Sequence, residues 1–264
     1  MPRTTGASRP LSLRTSDGER LDGTHLPPAA GDGDGVGAEA GTALAVVLAH
    51  GFTGSWRKEP NLAVAAALAR HAGVVAFDFR GHGGSSGHST VGDREILDVA
   101  AAVAAAREFG YRAVVTCGFS MGGAVVLRHA ALLRGVDAVV SVSAPARWYY
   151  RGTVPMRRVH WAIERRLGRA VARRLLGTRI APRRWDPVPE SPAECVGAIA
   201  PTPLLLVHGD SDPYFPLEHV QALAAAAGTP TEVWVEPGFG HAEGAISAEL
   251  LDRLGRRIRE LVQL

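Results

Sequence analysis

Cysteine is nearly missing from this 264-residue chain, in which Cys117 and Cys195 are the only two. Cys117 falls inside an apolar run that reads as a strand, so a disulfide framework is excluded and a reducing compartment fits. No apolar run approaches the roughly 18 to 20 residues of a membrane span, and residues 1–10, although positively charged, lead into no apolar stretch of signal-peptide type. The expected location is therefore cytoplasmic. Lysine is scarcer still, because Lys58 is the only one among 29 basic residues. The glycine-rich stretch 80–89 has neither G-x-G-x-x-G nor a P-loop lysine, so it reads as a tight turn rather than a phosphate cradle. No cofactor and no metal are expected.

What is present is enough apolar sequence, 46% of the residues, for one large α/β domain. Residues 11–26 alternate apolar and polar around Asp17-Gly18, the signature of a β-hairpin at a sheet edge. Residues 27–42 are mostly Gly, Ala and Asp and read as a flexible surface loop. The short, continuously apolar run at 43–49 reads as a strand buried on both faces, and further strands are read at 74–79, 112–117, 138–142, 204–208 and 231–236. Helical periodicity fills the intervals at 61–71, 93–109, 121–133, 217–227 and 245–262. This alternation predicts a mostly parallel sheet with helices on both faces, whose sites lie beyond the strand C-termini.

The loop after the strand at 112–117 is Gly118-Phe119-Ser120-Met121-Gly122. A serine flanked by glycines between a strand and a helix matches the nucleophile-elbow pattern G-x-S-x-G, in which the glycines clear space for a strained turn that exposes the hydroxyl. Such a serine needs a base to remove its proton and an acid to hold the base in one tautomer. Both exist downstream: Asp210 and Asp212 follow the strand at 204–208, and His241 stands in the glycine-flanked loop after the last strand. Asp252 lies within the last helix and is a poor rival.

In its His50-Gly51 loop, its turn from Asp78 to Ser85, its Ser120 elbow, the loop Gly209-Asp-Ser-Asp-Pro-Tyr-Phe-Pro216 and its Gly240-His241 loop, the chain resembles the α/β-hydrolase superfamily, near its monoacylglycerol lipase and serine aminopeptidase-like branch. The resemblance covers nearly all of residues 43–264. It implies an α/β-hydrolase fold, assigns Asp212 rather than Asp210 as the acid, and puts the oxyanion donors on the backbone N–H groups of Phe52 and Met121. The expected activity is that of a serine hydrolase, carboxylesterase- or lipase-like, cleaving a carboxylic ester or thioester through an acyl-enzyme. Alternatives are an aminopeptidase-like peptidase, which should carry an acidic patch for the substrate amine, a cofactor-free perhydrolase, and a catalytically silent binding module of the same fold.

Residues 144–203 interrupt the βα rhythm and divide the core, 1–143 and 204–264, at the place where the superfamily inserts a lid. Twelve arginines stand against one acid, Glu164, between residues 144 and 184, while the rest of the chain holds 17 basic and 25 acidic residues. Val159, Ile163, Leu167, Val171 and Leu175 recur every fourth residue among these arginines, which predicts one amphipathic basic helix, kinked at Gly168. The apolar stripe is expected to cap the site, with Trp148, Tyr149 and Trp161 walling the acyl pocket. The arginines would be a solvated face, or would touch a phosphate-bearing substrate or an anionic membrane. No nucleic-acid partner is expected.

Overall fold

The computed structural model describes residues 8–29 and 43–264; most of the loop expected at 27–42 lies outside them. Eight strands among the described residues form one sheet: β1 (Arg9–Arg14), β2 (Arg20–Leu26), β3 (Leu44–Ala49), β4 (Gly73–Phe77), β5 (Ala113–Phe119), β6 (Ala138–Val142), β7 (Leu204–Gly209) and β8 (Thr231–Glu236). Their order is β1-β2-β4-β3-β5-β6-β7-β8, antiparallel from β1 to β4 and parallel from β4 to β8. The expected hairpin turns at Gly18, whose φ of 93° suits glycine. Arg80 clamps that turn by donating to Asp17 at 2.7 Å and, through Nε, to Asp98 at 2.9 Å. Its guanidinium hydrogen bonds hold the Asp17 carboxyl down at about 2.

Period-two alternation explains why the central strands are apolar throughout. Ala45, Val47 and Ala49 of β3 face one core, and Leu44, Val46 and Leu48 face the other. The first core is closed by α2 (Glu95–Glu108), α3 (Met121–Leu132) and α7 (Glu218–Ala226); the second by α1 (Glu59–Leu68) and α8 (Ala248–Leu261). Both faces are therefore covered, as the alternation of elements predicts.

The sheet order reverses direction between β3 and β5, since β4 lies on one side of β3 and β5 on the other. Register places Ala49 opposite Gly118, so the loops leaving these two strands begin side by side. Such a reversal opens a crevice beyond the strand C-termini.

Between β6 and β7 the chain forms α4 (Val154–Glu164), α5 (Arg166–Leu175) and the one-turn α6 (Pro192–Cys195). The single kinked helix expected here is two helices. Their break is at Arg165, whose backbone is extended (φ −98°, ψ 139°), and not at Gly168. Gly168 instead marks close contact between α5 and α4: a Cβ there would come within 2.4 Å of the Trp161 carbonyl oxygen. Because the helix axis changes at Arg165, the fourfold apolar repeat does not stay on one face. Val159 and Ile163 turn toward the crevice, whereas Leu167 and Leu175 turn outward, 67% and 77% exposed.

Candidate active site

The elbow geometry follows from two glycines. A Cβ on Gly118 would lie 2.2 Å from the Gly122 carbonyl oxygen, and one on Gly122 would lie 2.2 Å from that of Ala49. No side chain fits at either place. Ser120 between them holds φ 52° and ψ −116°, a conformation that costs a non-glycine residue on the order of 1–3 kcal/mol. Its N–H bonds the Val142 carbonyl at 2.9 Å, and its own carbonyl accepts from Ala124 at 3.1 Å, so the turn is fixed between β6 and α3.

Ser120 Oγ lies 2.9 Å from His241 Nε2, and His241 Nδ1 lies 2.7 Å from Asp212 Oδ2. A carboxylate can only accept, so Nδ1 carries the proton and Nε2 is free to accept from the serine hydroxyl. The Asp212 carboxylate has no solvent exposure. Its other oxygen accepts from the Tyr214 and Phe215 amides at 2.8 and 3.0 Å. Tyr214 also stacks on the His241 ring, centroids 4.3 Å apart, which limits its rotation. Asp210 faces elsewhere and accepts from Gly238 N–H at 2.7 Å, tying the acid loop to the loop that bears His241. Asp252 bonds His71 on α8's outer side.

The loop after β3 is held on both sides of Phe52. Gly51 N–H donates to Glu243 Oε1 at 3.1 Å, and the Gly51 carbonyl accepts from Gly54 N–H at 2.9 Å and from His50 Nδ1–H at 2.7 Å. Thr53 N–H donates to His82 Nε2 at 3.3 Å, and the Thr53 carbonyl accepts from Lys58 Nζ at 2.5 Å. His50 and His82 serve this loop as neutral imidazoles: burial pushes the proton affinity of both down, that of His82 well below the usual range. Among the described residues the Phe52 and Met121 amides donate no hydrogen bond. Met121 opens α3, where amides lack intrahelical partners and the helix dipole is positive.

His208 caps the acid loop by donating from Nε2 to the Phe215 carbonyl at 2.8 Å, and burial lowers its proton affinity too. Ser143, with φ 52° at the end of β6, accepts from Ala242 N–H at 3.1 Å and so fixes the residue after His241. Ser143, Glu243, Lys58 and His82 have no role in the sequence reading. Only Glu243 had a visible cue, two residues beyond the histidine.

Ser120, His241, Phe52 and Met121 open onto one cleft of about 1740 Å³. Trp148 and Tyr149 line it as expected, but Trp161 does not; it is on the outward side of α4. Trp185 takes that wall instead, its ring 5.2 Å from Trp148 and 5.8 Å from Tyr149, with Nε1 donating to the Thr90 carbonyl at 2.8 Å. A lone tryptophan in an irregular stretch offers no periodicity from which its position could be read.

A family model described as alpha/beta hydrolase fold matches residues 45–164. No curated protein matches the chain. Among solved structures, an esterase of Pyrococcus furiosus is 23% identical over 99% of this chain and 98% of its own, with a TM-score of 0.71. A serine hydrolase of Xanthomonas campestris described as without a lid is 21% identical over 100% and 97%, TM-score 0.62. Est1E of Butyrivibrio proteoclasticus, solved with ferulic acid bound, is 20% identical over 95% and 97%, TM-score 0.63. The matched stretch spans β3 to α4, and the likeness extends over the whole chain: it has the α/β-hydrolase fold.

Proposed function

We propose that the chain is a serine hydrolase that cleaves a carboxylic ester, or a thioester, of a small molecule through an acyl-enzyme. The observation that carries this reading is the unbroken hydrogen-bond chain from Asp212 through His241 to Ser120, set beside two amides with no other partner. His241 Nε2 takes the Ser120 proton as Oγ attacks the acyl carbon, and the buried Asp212 carboxylate stabilises the resulting imidazolium. The oxyanion forms against the Phe52 and Met121 amides. His241 then gives its proton to the leaving group. Water, deprotonated by the same nitrogen, releases the acid and restores the serine. In this reading α4, α5 and the stretch that follows act as a lid, with Val159, Ile163 and Trp185 facing the acyl group. The likeness to esterases, one of them holding ferulic acid, supports a small-molecule ester.

An aminopeptidase-like reading draws on one observation. Glu243 lines the same cleft, and among the described residues only its Oε1 is engaged, by Gly51. That leaves an oxygen for a substrate amine. Hydrolysis rates of p-nitrophenyl esters of rising chain length, acyl-CoAs and amino-acid amides, run side by side, separate the two readings.

A fluorophosphonate probe tests the common core of both. Wild-type protein should be labelled and Ser120→Ala should not. Equal labelling of the two would refute the assignment of the nucleophile.

A further inference from the structure

The arginines between residues 144 and 184 divide into groups with different surroundings. Some are engaged: Arg147 pairs with Glu218 at 2.8 Å, Arg151 with Glu164 at 2.5 Å, and Arg169 closes the end of α4 by donating to the Ile163 and Glu164 carbonyls at 3.0 and 3.1 Å. Four others, Arg165, Arg166, Arg173 and Arg174, are exposed, and among the described residues their side chains meet no acceptor. Glu164 is the one acid in the segment, and Arg151 and His160 both engage it. From Arg165 to Trp185 there is no acid at all.

These four arginines share the outer surface with apolar side chains that find no cover. Leu167 and Leu175 are 67% and 77% exposed, above every other large apolar residue described, and Leu176 and Trp161 stand exposed nearby in sequence. Seven residues is close to two helical turns, so Arg166 lies in line with Arg173, and Leu167 with Arg174. Leu167 and Arg174 therefore share one line of α5 turned away from buried Ala172, with Arg166 and Arg173 on one flank; Leu175, the last residue of the helix, follows the line of buried Gly168 and is exposed on the other flank.

We infer that the outer surface of α5 docks on an anionic lipid bilayer. A leucine left in water loses about 1.5–3 kcal/mol relative to burial, so two of them on a surface with no covering element indicate a partner. The partner must be negative, because four exposed guanidiniums that meet no acceptor among the described residues lie on the same short segment as the leucines. A second copy of this chain fails on that ground: a twofold contact would press the patch against itself, arginine against arginine. A bilayer meets both demands, since acyl chains receive Leu167 and Leu175 while the arginines bury their methylene stems and reach lipid phosphates. This docking needs nothing from Ser120 and stands apart from the proposed hydrolysis.

Co-sedimentation of the full chain with vesicles tests the inference. Binding is expected to vesicles of equal phosphatidylcholine and phosphatidylglycerol, not to phosphatidylcholine alone, and should weaken as salt rises. Arg173→Glu with Arg174→Glu should lower the partition roughly tenfold or more, and Leu167→Ser with Leu175→Ser should lower it as well. All four positions are exposed, so hydrolysis of a water-soluble ester and the far-UV spectrum serve as controls and should not change. Equal binding to neutral vesicles, or binding unaltered by the arginine reversals, would overturn the inference. So would absence of binding, or a concentration-dependent dimer abolished by the serine variants, which would assign the leucines to a second copy.

Discussion

Glu243 and Gly51 are 192 residues apart in sequence and joined by one hydrogen bond of 3.1 Å, from the Gly51 amide to the Glu243 carboxylate. The bond links the turn that follows His241 to the loop that presents the Phe52 amide. Glycine at residue 51 lets the carboxylate approach closely: a Cβ there would stand 3.1 and 3.2 Å from its two oxygens. Glu243→Ala should therefore let the loop drift and reduce kcat about tenfold, given that loss of an oxyanion donor outright costs about a hundredfold or more. Glu243→Gln keeps an acceptor oxygen and should restore most of kcat. Should the Gln variant be as slow as the Ala variant on neutral esters, the charge rather than the hydrogen bond is what counts.

Two aspartates two residues apart should behave differently. Asp212→Asn offers His241 Nδ1 an amide that can hold the wrong tautomer, and kcat should fall by roughly 10⁴. Asp210→Asn retains an oxygen for the Gly238 amide, now 2.7 Å away, and should leave kcat within about threefold. Steady-state kinetics on one chromogenic ester decides both.

The elbow glycines predict a stability ranking. Gly122→Ala drives a methyl to 2.2 Å from the Ala49 carbonyl oxygen and should cost about 3 kcal/mol or more, with loss of fluorophosphonate labelling. Gly110, unlike Gly122, has a positive φ, 89°, but open space around it, so Gly110→Ala should cost only about 1–2 kcal/mol of backbone strain. Urea midpoints of the two variants measure the difference.

Acid should destabilise the fold through two buried histidines, His129 and His219, that make no bond to Ser120. Burial pushes His129 and His219 down to about 4 from an ordinary 6.5. His219 Nδ1 accepts from the Ala146 amide at 3.0 Å, and among the described residues His129 Nδ1 has no partner. Between pH 6.5 and 4 the unfolded chain takes up protons that the folded chain refuses, so stability is full above 6.5 and falls with pH across that window. The slope is up to about 1.4 kcal/mol per pH unit for each histidine. Urea midpoints at pH 7.5, 6 and 5 should fall accordingly, and His129→Leu should remove about one histidine's share of the slope.

The core strands were legible because burial on both faces of a sheet leaves continuous apolar runs, and the elbow because only glycine tolerates its crowding. Ser120, Asp212 and His241 meet because each ends or follows a parallel strand, and the order of strands brings those ends together. Residues 144–203 were harder to read. A four-residue repeat locates apolar side chains on a helix only while the axis is straight, and Arg165 ends that condition, sending Leu167 outward with Trp161. Glu243 and Ser143 make single hydrogen bonds across distant loops, and the one local cue to either is the place of Glu243 two residues beyond His241. Residues 30–42 of the expected surface loop lie outside the described structure.

The proton path and the cleft wall have separate origins in the chain. Ser120, Asp212 and His241 all lie outside residues 144–203, whereas Trp148, Tyr149, Val159, Ile163 and Trp185 all lie within them. The wall segment is fastened to the core along its length, by the bridges His82 to Thr178 and Ser89 to Ile180, the Thr153 hydroxyl on the Tyr214 carbonyl, the Trp185 indole on the Thr90 carbonyl, and Cys195, Val196 and Ile199 packed into the first core. Substitution at Trp148, Tyr149, Val159, Ile163 or Trp185 therefore re-shapes what can reach Ser120 without touching its hydrogen-bond chain to His241 and Asp212.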